Sequence, residues 1–374
     1  MRKILYYFCF CSICLSVFLT SGCGKQKEVM ESDNKKEEQT ADEQQEYSLE
    51  KQYSENVSVN IENVLQISEE KRSKWKISKA YVDLKQMREI VFSEDESTET
   101  VDSPWENVEQ LTTRDGLLLI QDETVLMGRT KEWDRYSDFI GFRELEGMSM
   151  TQSVETDLAF LSREDTKEKV QEITQQLFPN IQYDEIVVDA YTKEYFTELI
   201  DYIEEIPTYR DFIKPETKDQ VWQDSDEIYC VTITFKEDDI PIQKKDFTLM
   251  DETTIWGSKM IVWLSEKGVQ KFEGYGLWKK EKEEEVTICT LEGAIEALNG
   301  KYQNIVTEEK ITITKAELEY SPLTEGITGE LFLTPVWMLT GNAIVTMRSA
   351  DGTEEQVKMT KEIHVNAETG KLIE

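Results

Sequence analysis

The chain has 374 residues, with 76 Asp and Glu against 42 Lys and Arg and a single His, for a formal net charge of −34. Such an acid excess excludes nucleic acid, and anionic polymers in general, as ligands of a broad basic surface. One histidine and a few scattered cysteines cannot assemble the usual zinc ligand sets, while the length allows two or three domains with cores of their own.

The chain opens on a short positive stretch, Met1-Arg2-Lys3, and an apolar run from Ile4 to Leu19, the pattern of a secretory signal peptide over residues 1–22. The run is shorter than the ~20 residues a spanning helix needs. Its end, Leu19-Thr20-Ser21-Gly22-Cys23, resembles the lipobox of bacterial lipoproteins, with Thr20 where an aliphatic residue is usual. The resemblance implies cleavage before Cys23 and diacylglycerol on its thiol. The expected location is the outer face of the cytoplasmic membrane, lipid-anchored on the extracellular side, since two acyl chains give stable attachment. Cys9, Cys11 and Cys14 leave with the signal peptide, so the Cys-x-x-Cys of Cys11 and Cys14 is not a redox motif. Residues 23–54 are rich in Glu, Gln, Lys and Asp, have little to bury, and read as a disordered acidic tether.

Residues 55–160 read as a β-rich N-terminal region. WKISKAYVDL (75–84) alternates as a strand, GLLLIQDETVLMGRT (116–130) reads as two strands about a turn at 121–123, and the acidic 93–104 reads as an exposed loop. A first α+β unit spans 161–283. It starts with a helix over 165–178, with Val170, Ile173 and Leu177 on one face and Pro179 as its stop, followed by a second helix at 192–206 and strands at 227–235, 253–265 and 269–278. The charged run Lys279–Glu285 reads as the connector to a second unit, 284–374, with a helix at 290–302 and strands at 310–320, 330–339, 343–349 and 357–367. The fold class is therefore α+β, with repeated units of an antiparallel sheet packed on one helix. Cys230 and Cys289 lie on strand-like segments and form either one disulfide or two buried thiols, since bridging needs their Cα atoms within about 7 Å.

Particular residues carry a likeness: AIEAL (294–298), LEYSP (318–322), LTPVW (333–337) and the closing IHVNAETGKLIE (363–374). Together they resemble the C-terminal, PepSY-like module of the extracytoplasmic YycI/YycH-type regulators and of Gram-positive, clostridial-type surface lipoproteins. Tyr229–Phe235 followed by Asp238-Asp239-Ile240-Pro241 is similar to the tyrosine-rich strand and Gly-Ile-Pro turn of that superfamily, with Asp239 in place of the glycine. The resemblance implies a PepSY/cystatin-like fold and a non-enzymatic, membrane-tethered module, which in some relatives modulates a sensor kinase or inhibits a protease. Those kinase regulators keep a transmembrane helix, whereas this chain resembles a cleaved lipoprotein, which removes the most direct route to kinase control. Tyr320 and Trp337 are the candidate partner surface; the alternative for Trp337 is core packing.

Catalytic parts are scarce. His364, the only histidine, sits in an alternating strand and reads as a surface or hairpin residue, and no nucleophile signature, phosphate loop or dinucleotide motif occurs. Ser68-Glu69-Glu70-Lys71 and Ser32-Asp33-Asn34 match two penicillin-binding-protein motifs by chance, in the wrong order and without Lys-Thr-Gly. Asp224-Ser225-Asp226-Glu227 and Lys236-Glu237-Asp238-Asp239 offer oxygens but lack calcium-loop spacing. The expectation is a non-catalytic protein- or peptide-binding module of the cell envelope, with no cofactor, no metal and no nucleic acid. The alternative is a cell-wall or protein hydrolase with an unrecognised carboxylate site; a solute-capture lipoprotein would need a strand–helix alternation the chain lacks.

Overall fold

The computed structural model describes residues 46–65, 70–92, 98–99, 107–122, 124–137, 153–205, 220–249, 254–305, 307, 309–325, 329–348 and 354–373. The signal peptide, Cys23, Ser32-Asp33-Asn34, Ser68 and most of the acidic 93–104 stretch lie outside the described residues. The fold is α+β and dominated by two sheets.

Sheet I gathers the two ends of the chain. Its strands are β1 (Glu46–Gln52), β2 (Val57–Leu65) and β3 (Lys71–Lys79), followed much later by β15 (Trp278–Thr287), β16 (Lys310–Glu325), β17 (Glu330–Arg348), β18 (Glu354–Asn366) and β19 (Lys371–Ile373). The order is β1-β2-β16-β17-β18-β19, with β3 joining β17 to β15. Sheet II holds β4 (Thr98–Glu99), β5 (Glu109–Thr113), β6 (Leu118–Gln121), β7 (Val125–Arg129), β8 (Tyr183–Tyr191), β9 (Ile228–Glu237), β10 (Ile240–Pro241), β13 (Lys259–Ser265) and β14 (Gly268–Tyr275). Between β10 and β13 a two-stranded strap, β11 (Phe247–Thr248) and β12 (Thr254–Ile255), crosses to sheet I.

This pairing redraws the expected boundaries. Residues 55–160 are not a region apart: their first strands belong to sheet I and their later ones to sheet II. The tether ends earlier than Ser54, because Glu46–Gln52 pairs with β2 as an edge strand whose exposed Ser48, Glu50, Lys51 and Gln52 suit a solvated edge. Lys279–Glu285 is no connector but part of β15, nine of whose residues pair with β3. Its charges face solvent and are matched across the ladder, as in Glu283 with Ser73. Likewise 330–339 and 343–349 form one strand, because Gly341 stands beside a bulge at Thr314, where a Cβ would lie 2.7 Å from the Thr312 carbonyl.

Among the described residues four α-helices cover the sheets: α1 (Leu84–Met87, widening into a π turn through Phe92), α2 (Arg163–Leu177), α3 (Lys193–Glu205) and α4 (Leu291–Gln303). Ser162 caps α2 by accepting from the Asp165 N–H, and Val170, Ile173 and Thr174 face β8 and β9. Thr290 caps α4, whose Leu291, Ala294, Ile295, Leu298 and Tyr302 recur at helical spacing and pack on Trp337, Tyr320 and Val365. On the other face of sheet II, α3 lays Tyr195, Phe196 and Leu199 into an aromatic layer with Trp133, Tyr136, Trp222 and Trp263. Phe196 and Trp222 stack there with centroids 4.3 Å apart.

Each sheet thus holds a helix followed by a four-stranded antiparallel meander, α2 with β8-β9-β13-β14 and α4 with β16-β17-β18-β19. In the β9–β10 turn, Asp238 and Asp239 have φ of 48° and 59°. Two successive left-handed residues make a type I′ hairpin turn, and Asp tolerates this conformation.

Candidate functional site: a cleft between the sheets

The chain passes between the sheets in three places, and the crossings are knit together. The Ala80 N–H donates to the Leu277 carbonyl at 3.0 Å, Gln243 N–H to the Tyr320 carbonyl at 2.9 Å, and the Ser258 hydroxyl to the Gly276 carbonyl at 2.6 Å. Gly276 has φ +54°, and a Cβ there would stand 2.9 Å from the Gly257 carbonyl, so the crossing strands approach as closely as glycine permits.

Above these crossings opens a cleft of about 600 Å³. Its floor is Phe235, Ile242, Leu277 and Leu333; one wall is the turn after α2, with Phe178, Pro179 and Ile181; the other is Tyr81 and Trp278. Tyr81 is 69% exposed, among the described residues the large apolar side chain left most open after Val221. Lys79 lies over the Tyr81 ring at 5.0 Å.

The rim is basic in a chain that is otherwise acidic. Lys236, Lys279 and Lys280 line it together with Glu237. Lys280 pairs with Glu237 at 2.6 Å while lying over the Trp75 ring, and Lys236 pairs with Asp239 at 2.8 Å, which raises the lysine's pKa and lowers the carboxylate's. Lys279 forms no ion pair with any described residue. The lining offers apolar and aromatic surface with polar groups at its mouth, the usual composition of a ligand site; it contains neither histidine nor cysteine.

Of the residues expected at a site, Tyr320, Trp337, Cys230, Cys289 and His364 do not line this cleft, whereas Lys236 and Glu237 of the acidic Lys236–Asp239 segment do. Tyr320 and Trp337, expected at a partner surface, are 0% and 1% exposed. Both point to the α4 face, where the Trp337 indole N–H donates to the Cys289 carbonyl at 3.0 Å and the Tyr320 hydroxyl to the Ser73 carbonyl at 2.9 Å. Cys230 and Cys289 are not bridged to each other: Cys230 is buried in the aromatic layer of sheet II, and Cys289 is half-buried beneath α4 in sheet I. His364 is not a surface residue either. The strap buries it, with Phe247 stacked on its ring at 4.1 Å.

Both acidic segments are engaged by cations. Asp226 is held by Arg135 in a two-pronged pair at 2.7 and 3.0 Å, and Asp224 by Lys193. Among the described residues no group of three His, Cys, Asp or Glu side chains is placed to hold a metal ion, and no helix is long and apolar enough to cross a membrane. Tyr81, Trp278 and Phe178 escaped the sequence reading because the cleft joins crossings some hundred and two hundred residues apart in the chain. A lone exposed Tyr in an alternating strand gives no warning of it.

No protein-family model matches the sequence, and no curated protein matches it. The chain is similar in fold to an uncharacterised protein from Eubacterium rectale. That crystal structure superposes with a TM-score of 0.55 at 11% identity, covering 87% of this chain and 93% of the other. At that identity the likeness concerns the fold, and it spans both sheets rather than one unit.

Proposed function

We propose that the chain is a lipid-anchored lipoprotein on the outer face of the cytoplasmic membrane, a non-catalytic module that binds a protein or peptide partner of the cell envelope. The observation that carries the binding role is the cleft between the sheets, with Tyr81 open to solvent over an apolar floor. The anchor rests on the lipobox-like run ending at Cys23. Reading the two units as PepSY-like, and as products of a duplication, is supported by the repeated order of helix and four-stranded meander. What weighs against a hydrolase is the placement of the carboxylate with, among the described residues, the most strongly raised pKa: Glu319 lies beneath the strap and lines neither this cleft nor the smaller one beside His364.

Two measurements test this reading. Cells fed an alkyne-tagged fatty acid should label the wild-type chain and leave Cys23→Ser unlabelled; equal labelling removes the anchor. Crosslinking in intact cells should capture a partner with the wild type and lose it with Tyr81→Ser. A partner retained equally by the variant removes the cleft from the reading.

A further inference from the structure

The cleft does not end at its lysine rim. Trp278, Lys279 and Lys280, which line it, are the first three residues of β15, and β15 is paired on one side only, with β3. Among the described residues no strand pairs with its other edge. An open edge presents alternate N–H and C=O groups to any extended chain laid beside it. We propose that the cleft and the open edge of β15 form one groove, in which an extended peptide adds as a further strand with a bulky apolar side chain seated in the cleft. The proposal rests on the peptide-binding reading above and names its mode and its ligand.

Charges along a strand edge ordinarily keep other strands away. On β15 several are drawn along the sheet instead: Lys280 lies over the Trp75 ring of β3, Lys282 pairs with Glu284, Glu283 with Ser73 and Glu285 with Lys71. Heads fixed over the ladder do not cap the backbone beside it. The edge is also polar in the electrical sense. Its cleft end carries Lys279 and Lys280, and its far end Glu283, Glu284 and Glu285. The matching peptide has its apolar anchor next to a carboxylate that meets Lys279, and basic residues at the opposite end. With a net charge of −34 on the chain, a uniformly acidic peptide is repelled.

Fluorescein-labelled nine-residue peptides, titrated by anisotropy against the full-length lipidated protein in detergent micelles, test this. One design carries Phe and Asp at one end and two Lys at the other, made in both chain directions; its twin exchanges the acidic and basic positions. The first should bind at least about tenfold more tightly than the twin in one direction, and Lys279→Glu should abolish that preference. N-methylation of alternate amides removes donors from one edge of the peptide. One alternate set should weaken binding about tenfold or more and the other should not. Equal tolerance of both sets overturns strand addition while leaving a peptide-binding cleft, whereas no binding by any design overturns the peptide reading itself. Lys279 is exposed, so an unchanged circular dichroism spectrum establishes that the variant is folded.

Discussion

The carboxylate of Glu319 and the imidazole of His364 face each other at 3.9 Å across β17, beneath the strap, and neither is solvated. The separation suggests an ion pair, but Glu319 Oε1 has no hydrogen-bond partner and burial drives both groups toward their neutral forms. Burial foremost, then the charges of Glu317 and Glu362 against those of Lys245 and Lys244, pushes Glu319 up to about 7. Burial lowers His364, with Glu362 opposing and Lys245 adding to the shift. With Glu319 raised to about 7 and His364 lowered from 6.5, both groups are mostly uncharged between those two folded values, and the 3.9 Å approach is not a standing ion pair there.

The sign of the pH dependence follows. A carboxyl raised from 4.5 to about 7 contributes stability that is present below 4.5 and lost as pH rises through 7. His364, lowered from 6.5, contributes stability that is present above 6.5 and lost as pH falls through its folded value. Glu319→Gln should therefore flatten the alkaline fall, raising stability at pH 8.5 by on the order of 2–3 kcal/mol relative to wild type and little at pH 4.5. Urea titrations of both proteins at the two pH values measure the difference. An equal effect at both would show that Glu319 is not the titrating group.

A second buried charge behaves differently. Lys74 is 4% exposed and reaches Glu325 and Glu368, each at 2.7 Å. Burial lowers its pKa, yet the two carboxylates outweigh burial and hold it above the usual lysine value. Removing the ammonium leaves two partly exposed carboxylates facing each other, so Lys74→Ala should cost about 3 kcal/mol. In Lys74→Met the apolar stem is kept, and the loss should be smaller by a kilocalorie or more, about the packing value of a buried chain. Thermal melts of the two variants side by side separate charge from packing.

Much of this architecture was legible. Helical spacing gave α2, α3 and α4 to within two residues at each end, and the hairpin about Asp122 was marked by its turn residues, with the Asp122 carboxylate accepting from the Thr124 and Val125 N–H groups. What local pattern does not carry is which strands meet. β15 is almost wholly charged, so it lacks the period-two signal of a half-buried strand, and only pairing with Lys71–Lys79 makes it one. His364 alternates like a solvent-facing residue, and it is buried by a strap that leaves sheet II more than a hundred residues earlier in the chain. Tyr320 and Trp337 build the core beneath α4, which explains why they gave no site.

Calcium supplies a further test. Asp226 is buried, with both carboxylate oxygens on Arg135 and one also accepting the Gln223 N–H at 3.1 Å. With three of its about four lone-pair sites taken and both oxygens on a guanidinium, this carboxylate is a poor ligand for a cation. Millimolar calcium should leave the melting temperature unchanged, whereas Asp226→Asn should lower stability by about 3 kcal/mol by leaving the guanidinium without its counter-charge. A calcium-dependent rise in melting temperature would show that the acidic segment binds metal after all.

Trp337 separates a core role from a surface role most directly. Its ring packs under α4, and its indole N–H bonds the Cys289 carbonyl in the link between β15 and α4, tying the helix start to the middle of the sheet. Trp337→Ala removes both and should cost about 3–5 kcal/mol. Trp337→Phe keeps most of the apolar contact and leaves a buried carbonyl unpaired, for about 1–3 kcal/mol. Tyr320→Phe, which frees the Ser73 carbonyl, should fall in the same lower range. Were either residue a ligand shelf, these substitutions would move binding while leaving chemical denaturation untouched. A core residue moves the denaturation midpoint in the order Ala above Phe, and binding follows only through the folded fraction.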